Sequence, residues 1–354
     1  MKNSLYIDLH AIQTVPPSCV NRDDTGSPKT AIYGGVKRAR VSSQAWKRAI
    51  REYFKTIFDV EALGSRTKQL PKLIADEIMA IDETIAPEKA MKSALKALKN
   101  VGIKLDEKKN ENAALFFVSK SQIRALAALA AAEEKDKAVY KQAMKDHPTL
   151  DIALFGRMVA GDPSLNYDAT AQVAHAISTH GVQIEYDYFA AVDDEKADDE
   201  SGAGFLDTAE FNSATLYRYA TVNVTELATH LGADTPQVVR GFVEAFACSM
   251  PTGKQNTFAN RTLPDLLYVT IRRDQPVNLS GAFENPIKNQ KNGYVGQSCQ
   301  SLLAYADKLC SSFAEQPELA LGCGDEAVLS GHAEVLSLKA LLARLEEYTG
   351  EKTV

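Results

Sequence analysis

Residues 34–54, "GGVKRARVSSQAWKRAIREYF", decide how the chain is read. "VKRARV" at 36–41 is short and alternating, a strand or hairpin arm that follows the Gly34–Gly35 pair. Ser42 or Ser43 then stands where a helix N-cap belongs. Beyond it Trp46, Ala49, Ile50, Tyr53 and Phe54 recur at helical spacing, which predicts an amphipathic helix over about 43–55. The hydrophobic period thus changes from two to 3.6 within a few residues, and a mixed α+β domain is expected.

The flanks extend this pattern. Leu5, Ile7 and Leu9 alternate, predicting a first strand over 4–13 that the Pro16–Pro17 pair ends, opening a long loop. From about 66 to 147 the texture turns Ala-, Lys- and Glu-rich, and "KSQIRALAALAAAEEKDKAVYKQAMK" carries strong helix propensity. This region reads as a helical insertion closed by His147–Pro148. Strand character returns in "LDIALFGRMVA" (150–160), "QVAHAISTHGV" (172–182), "ATLYRYATVNV" (214–224) and "DLLYVTIRR" (265–273). Helices are expected near 235–249, 297–313 and 333–348. "EYDYFAAVDDEKADDESGAGFLDTAEF" separates the second and third of these strands and reads as a protruding loop or β-hairpin, with six acids between Asp193 and Glu200. Without the insertion and the loop, the order approximates a split βαβ pattern of ferredoxin-like or RNA-recognition type. The third and fourth strands leave more than one pairing open. The expected divisions are 1–60, a helical 61–148, strands over 149–184, a protrusion over 185–213, and 214–354 with the C-terminal helices.

Composition narrows the function. The 354 residues hold 40 Lys+Arg against 46 Asp+Glu, with 45% hydrophobic and 24% charged residues, which is ordinary for a soluble globular protein. No apolar run reaches the roughly 18–20 residues a membrane helix needs, and "MKNSLYIDLHAIQTV" lacks a signal peptide's apolar block. A cytoplasmic protein without a membrane partner is expected. The five cysteines form no CxxC pair, so free thiols rather than disulfides or zinc are expected.

Against the acidic balance, residues 25–51 carry Lys29, Lys37, Arg38, Arg40, Lys47, Arg48 and Arg51 and no acid. On the predicted helix Gln44, Lys47 and Arg51 share one face at spacings of three and four, with Arg48 offset. A helix N-terminus already favours phosphate, and Gly34–Gly35 lets a partner approach the backbone. A solvated helix face is the bland alternative. With about four phosphate contacts on a single strand, binding would fall with salt at a slope of about −3.

Other candidates are weaker. "NRDD" offers Asp23 and Asp24 as metal ligands for phosphodiester hydrolysis, but no further carboxylates converge by signature, and a turn-forming role is the simpler reading. His175 and His180, five apart on an expected strand, would face opposite sides and cannot chelate one metal. No GxSxG, Walker or HExxH motif occurs. "YDYFAAV" (186–192) is either an aromatic cluster packed on its own domain or a wedge for unpaired bases.

"PPSCVNRDDTGSPKTAIYGGVKRARVSSQAWKRA", "DIALFGRM", "AHAISTHGV", "YDYFAAVDD", "EFNSATLYRYATVNV" and "PTGKQNTFAN" occur in that order between residues 4 and about 285. Together they resemble the CasC family, the backbone subunit of the type I-E CRISPR surveillance complex, Cascade. The resemblance implies an RNA-recognition-like palm, a helical fingers domain and a protruding thumb. It implies a non-catalytic protein without cofactor or metal, polymerised head to tail along CRISPR RNA and presenting the guide to target DNA. Its partners would be that RNA, target DNA through guide pairing, further copies of itself, other Cascade subunits and a recruited helicase-nuclease. RNA-backbone contacts would fall on Arg22, Lys29, Ser42, Gln44, Lys47 and Arg51, with Lys37, Arg38 and Arg40 beside them. Met158 would pack on bases, and Tyr188, Phe189, Ala190 and Val192 would form the thumb. Distant backbone subunits cut RNA with a loop aspartate, so a metal-dependent nuclease using Asp23 or Asp24 is the enzymatic alternative.

Overall fold

The computed structural model describes residues 4–106, 108–159, 162–191, 205–288 and 291–353. Two compact units emerge, one of 1–53, 173–221 and 240–348, the other of 54–172, 222–239 and 349–354. The second unit begins earlier than the expected insertion and takes in residues 149–172, which the sequence pattern groups with the strands.

The first unit is built on a sheet. Its strand path runs Glu334–Val335, Leu319–Gly324, Leu266–Arg272, β1 (Tyr6–Ser18), Phe205–Asn223, Ala176–Ser178, β3 (Val36–Val41) and β2 (Thr30–Tyr33). β1 lies in the middle and is almost wholly buried, the polar Asp8, His10 and Gln13 of its alternating sequence included. It pairs antiparallel with Leu266–Arg272 from Tyr6↔Arg272 to Ile12↔Leu266. That ladder stops at Ile12. The proline pair therefore removes no N–H from it, and β1 continues through Pro16–Pro17 instead of ending there. One face is packed by Tyr217, Tyr219, Leu279, Phe283 and Leu302, the last from the helix Val295–Cys310.

β2 and β3 form the hairpin expected from Gly34–Gly35, pairing Thr30↔Ala39 through Tyr33↔Val36. Both turn glycines are left-handed, φ 58° and 77°, as a two-residue hairpin turn requires. A Cβ on Gly34 would lie 1.7 Å from the Glu284 carbonyl oxygen, so no side chain fits there. α1 (Ser43–Ile57) follows at once and buries Trp46, Ala49, Ile50 and Phe54. The helices Thr235–Cys248 and Val295–Cys310 stand where expected, and the last, Leu338–Thr353, starts somewhat later.

The second unit is mainly helical. α2 (Leu70–Ile81) and α3 (Pro87–Val101) both carry proline in their first turn, and left-handed Gly102 (φ 94°) ends α3. α4 (Lys120–Ala131) opens with a reciprocal Ser119–Gln122 capping box. The long Ala-rich run does not continue as one helix: Glu133 turns left-handed (φ 52°) and Asp136 caps a separate α5 (Lys137–Ala143). Leu70, Ile74, Ile78, Ala94, Leu98, Val101, Ile123 and Leu126 form its core.

"LDIALF" is a helix, α6 (Leu150–Phe155), and not the expected strand. All six of its residues are buried. Its one polar residue, Asp151, is buried with the apolar ones, so the run shows no polar face whose period would distinguish helix from strand. No helix among the described residues is long and apolar enough to cross a membrane.

Candidate nucleic-acid interface

The basic strip is assembled by backbone bonds. The Ser42 hydroxyl caps α1 by accepting from Ala45 N (3.3 Å), and Ser42 N donates to Asn21 Oδ1 (2.9 Å). Asn21 O accepts from Lys29 N (2.8 Å), and Lys29 O from Arg40 N (2.9 Å). These links stitch the 21–29 loop to β3 and to the start of α1, bringing the backbones of Arg22, Lys29, Arg40 and Ser42 together. On α1 Gln44 and Arg48 are exposed, Lys47 and Arg51 half-buried. Its first turn holds no acid, which leaves the positive end of the helix dipole uncompensated locally.

Arg38 is the exception. It is fully buried, its Nε donating to Tyr33 O (3.1 Å), Nη1 to Ser178 O (2.9 Å) and Nη2 to Phe283 O (2.8 Å). The expectation that Arg38 meets RNA is thereby corrected: its guanidinium ties the hairpin to the neighbouring strand and to the loop at 283. Lys37 projects to solvent on the hairpin, and Arg40 is half-buried, its Nε on Thr30 O (3.2 Å).

His175 joins this strip, although its sequence context reads as a structural residue of a strand. Only Ala176–Ser178 is strand. Val41 faces Ala176, so antiparallel register carries His175 opposite Ser42. Its Nδ1 lies 3.4 Å from Ser43 N and 3.3 Å from Arg40 Nη1. Both neighbours are donors, so Nδ1 accepts. Burial holds the imidazole pKa below its ordinary value, and Arg40 and Lys29 lower it further. No sequence signal marks it, because its place depends on register across a non-local strand pair. His180 is structural: it stacks on Tyr294 at 3.7 Å, and its Nε2 accepts from Thr215 N (3.1 Å).

Asp23 shapes a turn. Its Oδ1 accepts from the Thr25 hydroxyl (2.7 Å), Thr25 N (2.9 Å) and Ser27 N (3.0 Å). The Thr25 hydroxyl above all, with those amides, holds the carboxyl below its ordinary pKa. Asp24 is exposed. Among the described residues no three His, Cys, Asp or Glu side chains converge as a metal would require.

The protrusion begins as a hairpin in which Tyr188 faces Thr208, Phe189 faces Asp207 and Ala190 faces Leu206. Tyr188 is 67% exposed and Phe189 40%. Val192 lies outside the described residues. Met158, in the second unit, is 88% exposed, an unusual position for a large apolar side chain.

Comparison with known proteins gives a consistent picture. A family described as CT1975-like protein matches residues 7–347. A solved chain of a "CRISPR RNA-guided surveillance complex, pre-nicking" is 34% identical, with 96% of this chain and 100% of that one covered and a TM-score of 0.79. A second, from a "CRISPR RNA-guided surveillance complex", is 27% identical, with 96% and 99% covered and a TM-score of 0.72. No curated protein matches the chain.

Proposed function

We infer the role of this chain from its membership: it belongs to the CT1975-like protein family. It is proposed to be a non-catalytic component of an RNA-guided surveillance complex of the Cascade kind, type I-E, holding the backbone of CRISPR RNA. In this reading the sheet unit is the RNA-recognition-like palm, the helical unit the fingers, and the 185–213 hairpin the thumb. Copies would polymerise along the RNA, present it to target DNA, and meet the other subunits and a recruited helicase-nuclease. The likeness over nearly the full length of chains from such complexes supports the assembly. The observation that carries the RNA-holding role is the acid-free strip whose loop, hairpin and helix start are stitched together at Asn21 and Ser42. Phosphate binding needs such clustered donors and cations at a helix N-terminus.

The test is single-stranded RNA binding by the purified chain across a salt series. Lys47→Ala with Arg51→Ala is expected to flatten the slope by about 1.4, at about 0.7 for each phosphate of a single strand that is no longer neutralised. An unchanged slope with unchanged affinity rejects the strip. Metal-dependent cutting of target nucleic acid that Asp23→Ala or Asp24→Ala abolishes would instead make the chain a nuclease.

A further inference from the structure

The segment "PTGKQNTFAN" at 251–260 has no part in the strip described above, yet among the described residues of the sheet unit it holds both left-handed non-glycine positions. Lys254 and Ala259 both adopt φ 48°, the left-handed region that L-residues avoid, on either side of the short helix Gln255–Phe258. Neither has an Asn or Asp side chain to offset that conformation, and the Lys254 side chain makes no cap to the helix. Such strain persists only where surrounding contacts impose it, and it concentrates at binding sites.

Those contacts are visible. A Cβ on Gly253 would lie 2.0 Å from Val20 O and 2.9 Å from Cys19 O, so the loop lies flush on the backbone immediately before Asn21 and Arg22. At its far end the buried Asn260 donates its Nδ2 to Gly253 O (3.4 Å), closing the loop on itself. Phe258 approaches Phe211 at 6.0 Å between ring centres. Thr252, Asn256 and Thr257 are left exposed, and Lys254 is the only charged residue of the segment. Burial pushes the Cys19 thiol pKa up, while Arg22 and Lys254 pull it back and Glu210 and Asp23 oppose them. Lys254 and Arg22 thus act together on one buried atom.

We propose that the 251–260 loop is a second RNA-holding element, with Lys254 placing its ammonium against a phosphodiester of the single strand that the 21–29 loop engages through Arg22. The proposal rests on the RNA-holding role inferred above. The left-handed backbone at Lys254 sets the direction of the side chain, and Gly253 is required because only glycine lets the loop seat beside the arginine.

The purified full chain is titrated with single-stranded RNA over a salt series, comparing Lys254→Gly and Lys254→Arg with wild type. Glycine takes the left-handed backbone freely, so Lys254→Gly keeps the loop and removes the cation. It is expected to weaken binding several-fold at low salt and to flatten the slope by about 0.7, with Lys254→Arg close to wild type. An unchanged slope in Lys254→Gly overturns the proposal, as does an equal loss in Lys254→Arg, which would mark a role in loop shape alone. The Lys47→Ala, Arg51→Ala double variant is run alongside. If wild type does not bind, or the double variant changes nothing, the RNA-holding reading fails with it. If the double variant responds and Lys254→Gly does not, only the loop assignment falls.

Discussion

Arg38→Ala separates the structural cation from those proposed to face RNA within one basic run. The guanidinium has no solvent contact, and besides its three short bonds it reaches Glu284 O at 3.4 Å. Removing it strands the buried carbonyls of Ser178 and Phe283 and the part-buried carbonyl of Tyr33, and leaves a side-chain-sized void. Hydrogen bonds from a charged donor contribute roughly 1.5–3 kcal/mol each, and the three summed would give about 4–9 kcal/mol. The sum overstates the loss, because the wild type also bears the desolvation cost of a buried cation. We expect about 4 kcal/mol. At about 2–4 °C per kcal/mol for a unit of this size, Tm falls by about 12 °C. Urea unfolding followed by far-UV circular dichroism reads the same loss as a lower midpoint at unchanged m-value. Arg38→Lys should recover only part of it, since one ammonium cannot span carbonyls on three segments. An Arg38→Ala protein that unfolds at the wild-type midpoint but binds RNA with a flatter salt slope would refute the reasoning. Arg38 would then be a phosphate ligand after all.

Asp8 in β1 gives a pH prediction. Burial raises its pKa from 3.8 to about 6 despite hydrogen bonds from Tyr219 Oη and Val277 N. The folded value exceeds the unfolded one, so the protonated carboxyl stabilises the fold at low pH and that contribution is lost as pH rises through about 6. At about 1.4 kcal/mol per pH unit, Asp8→Asn should gain about 2 kcal/mol relative to wild type between pH 4 and pH 7, measured by urea unfolding at both. In the helical unit Arg157→Met should cost about 3–5 kcal/mol, because the guanidinium donates to Leu165 O, Phe117 O, Gln122 Oε1 and Met144 O in a buried site. Hydrogen exchange should show weakened protection in α4 and α5. Gly34→Ala should give a protein that fails to fold or is destabilised by at least about 3 kcal/mol, the Cβ meeting the Glu284 backbone at 1.7 Å. Asp23→Ala should speed proteolytic nicking within 21–29, and Asp24→Ala should not, since only Asp23 ties the turn.

The hairpin and α1 were legible because their signals are local: a glycine pair, a serine cap and apolar residues at helical spacing all lie within about twenty residues. Arg38 was not, because a basic run does not say which of its members points inward. In β3 the alternation V-K-R-A-R-V puts a cation on both faces, and only the register against Ser178 decides that Arg38 is the buried one. His175 was hidden in the same way. α6 misled because its six residues, Asp151 included, are all buried and leave no polar face to carry a period, and β1 outran its prolines because its neighbour ended first.

The buried arginines of the sheet unit also bear on why a chain with six more acids than bases can keep one basic face. Arg38 is held by backbone carbonyls, and Arg218 donates to Gln13 Oε1 and Phe246 O with the Trp46 ring 3.7 Å away, its Nε left without a hydrogen-bond partner. Arg272, at the other end of the β1 ladder, is instead paired with Asp274 at 2.6 Å. The distinction is electrostatic. A carbonyl or a ring satisfies a guanidinium without adding opposite charge, whereas a carboxylate cancels its field a few ångströms out. Trp46 belongs to α1 and Arg38 to β3, the elements that carry the strip. Burial works against the charged form of both, lowering the Arg218 pKa to about 9, still well above neutral pH, so both carry positive charge beneath it, where little salt penetrates to screen it. Arg38, though fully buried, still raises the potential that an anion approaching this face would meet. Burial with neutral partners is what lets it serve the fold and the field together, and a carboxylate in place of those carbonyls would keep the first role and lose the second.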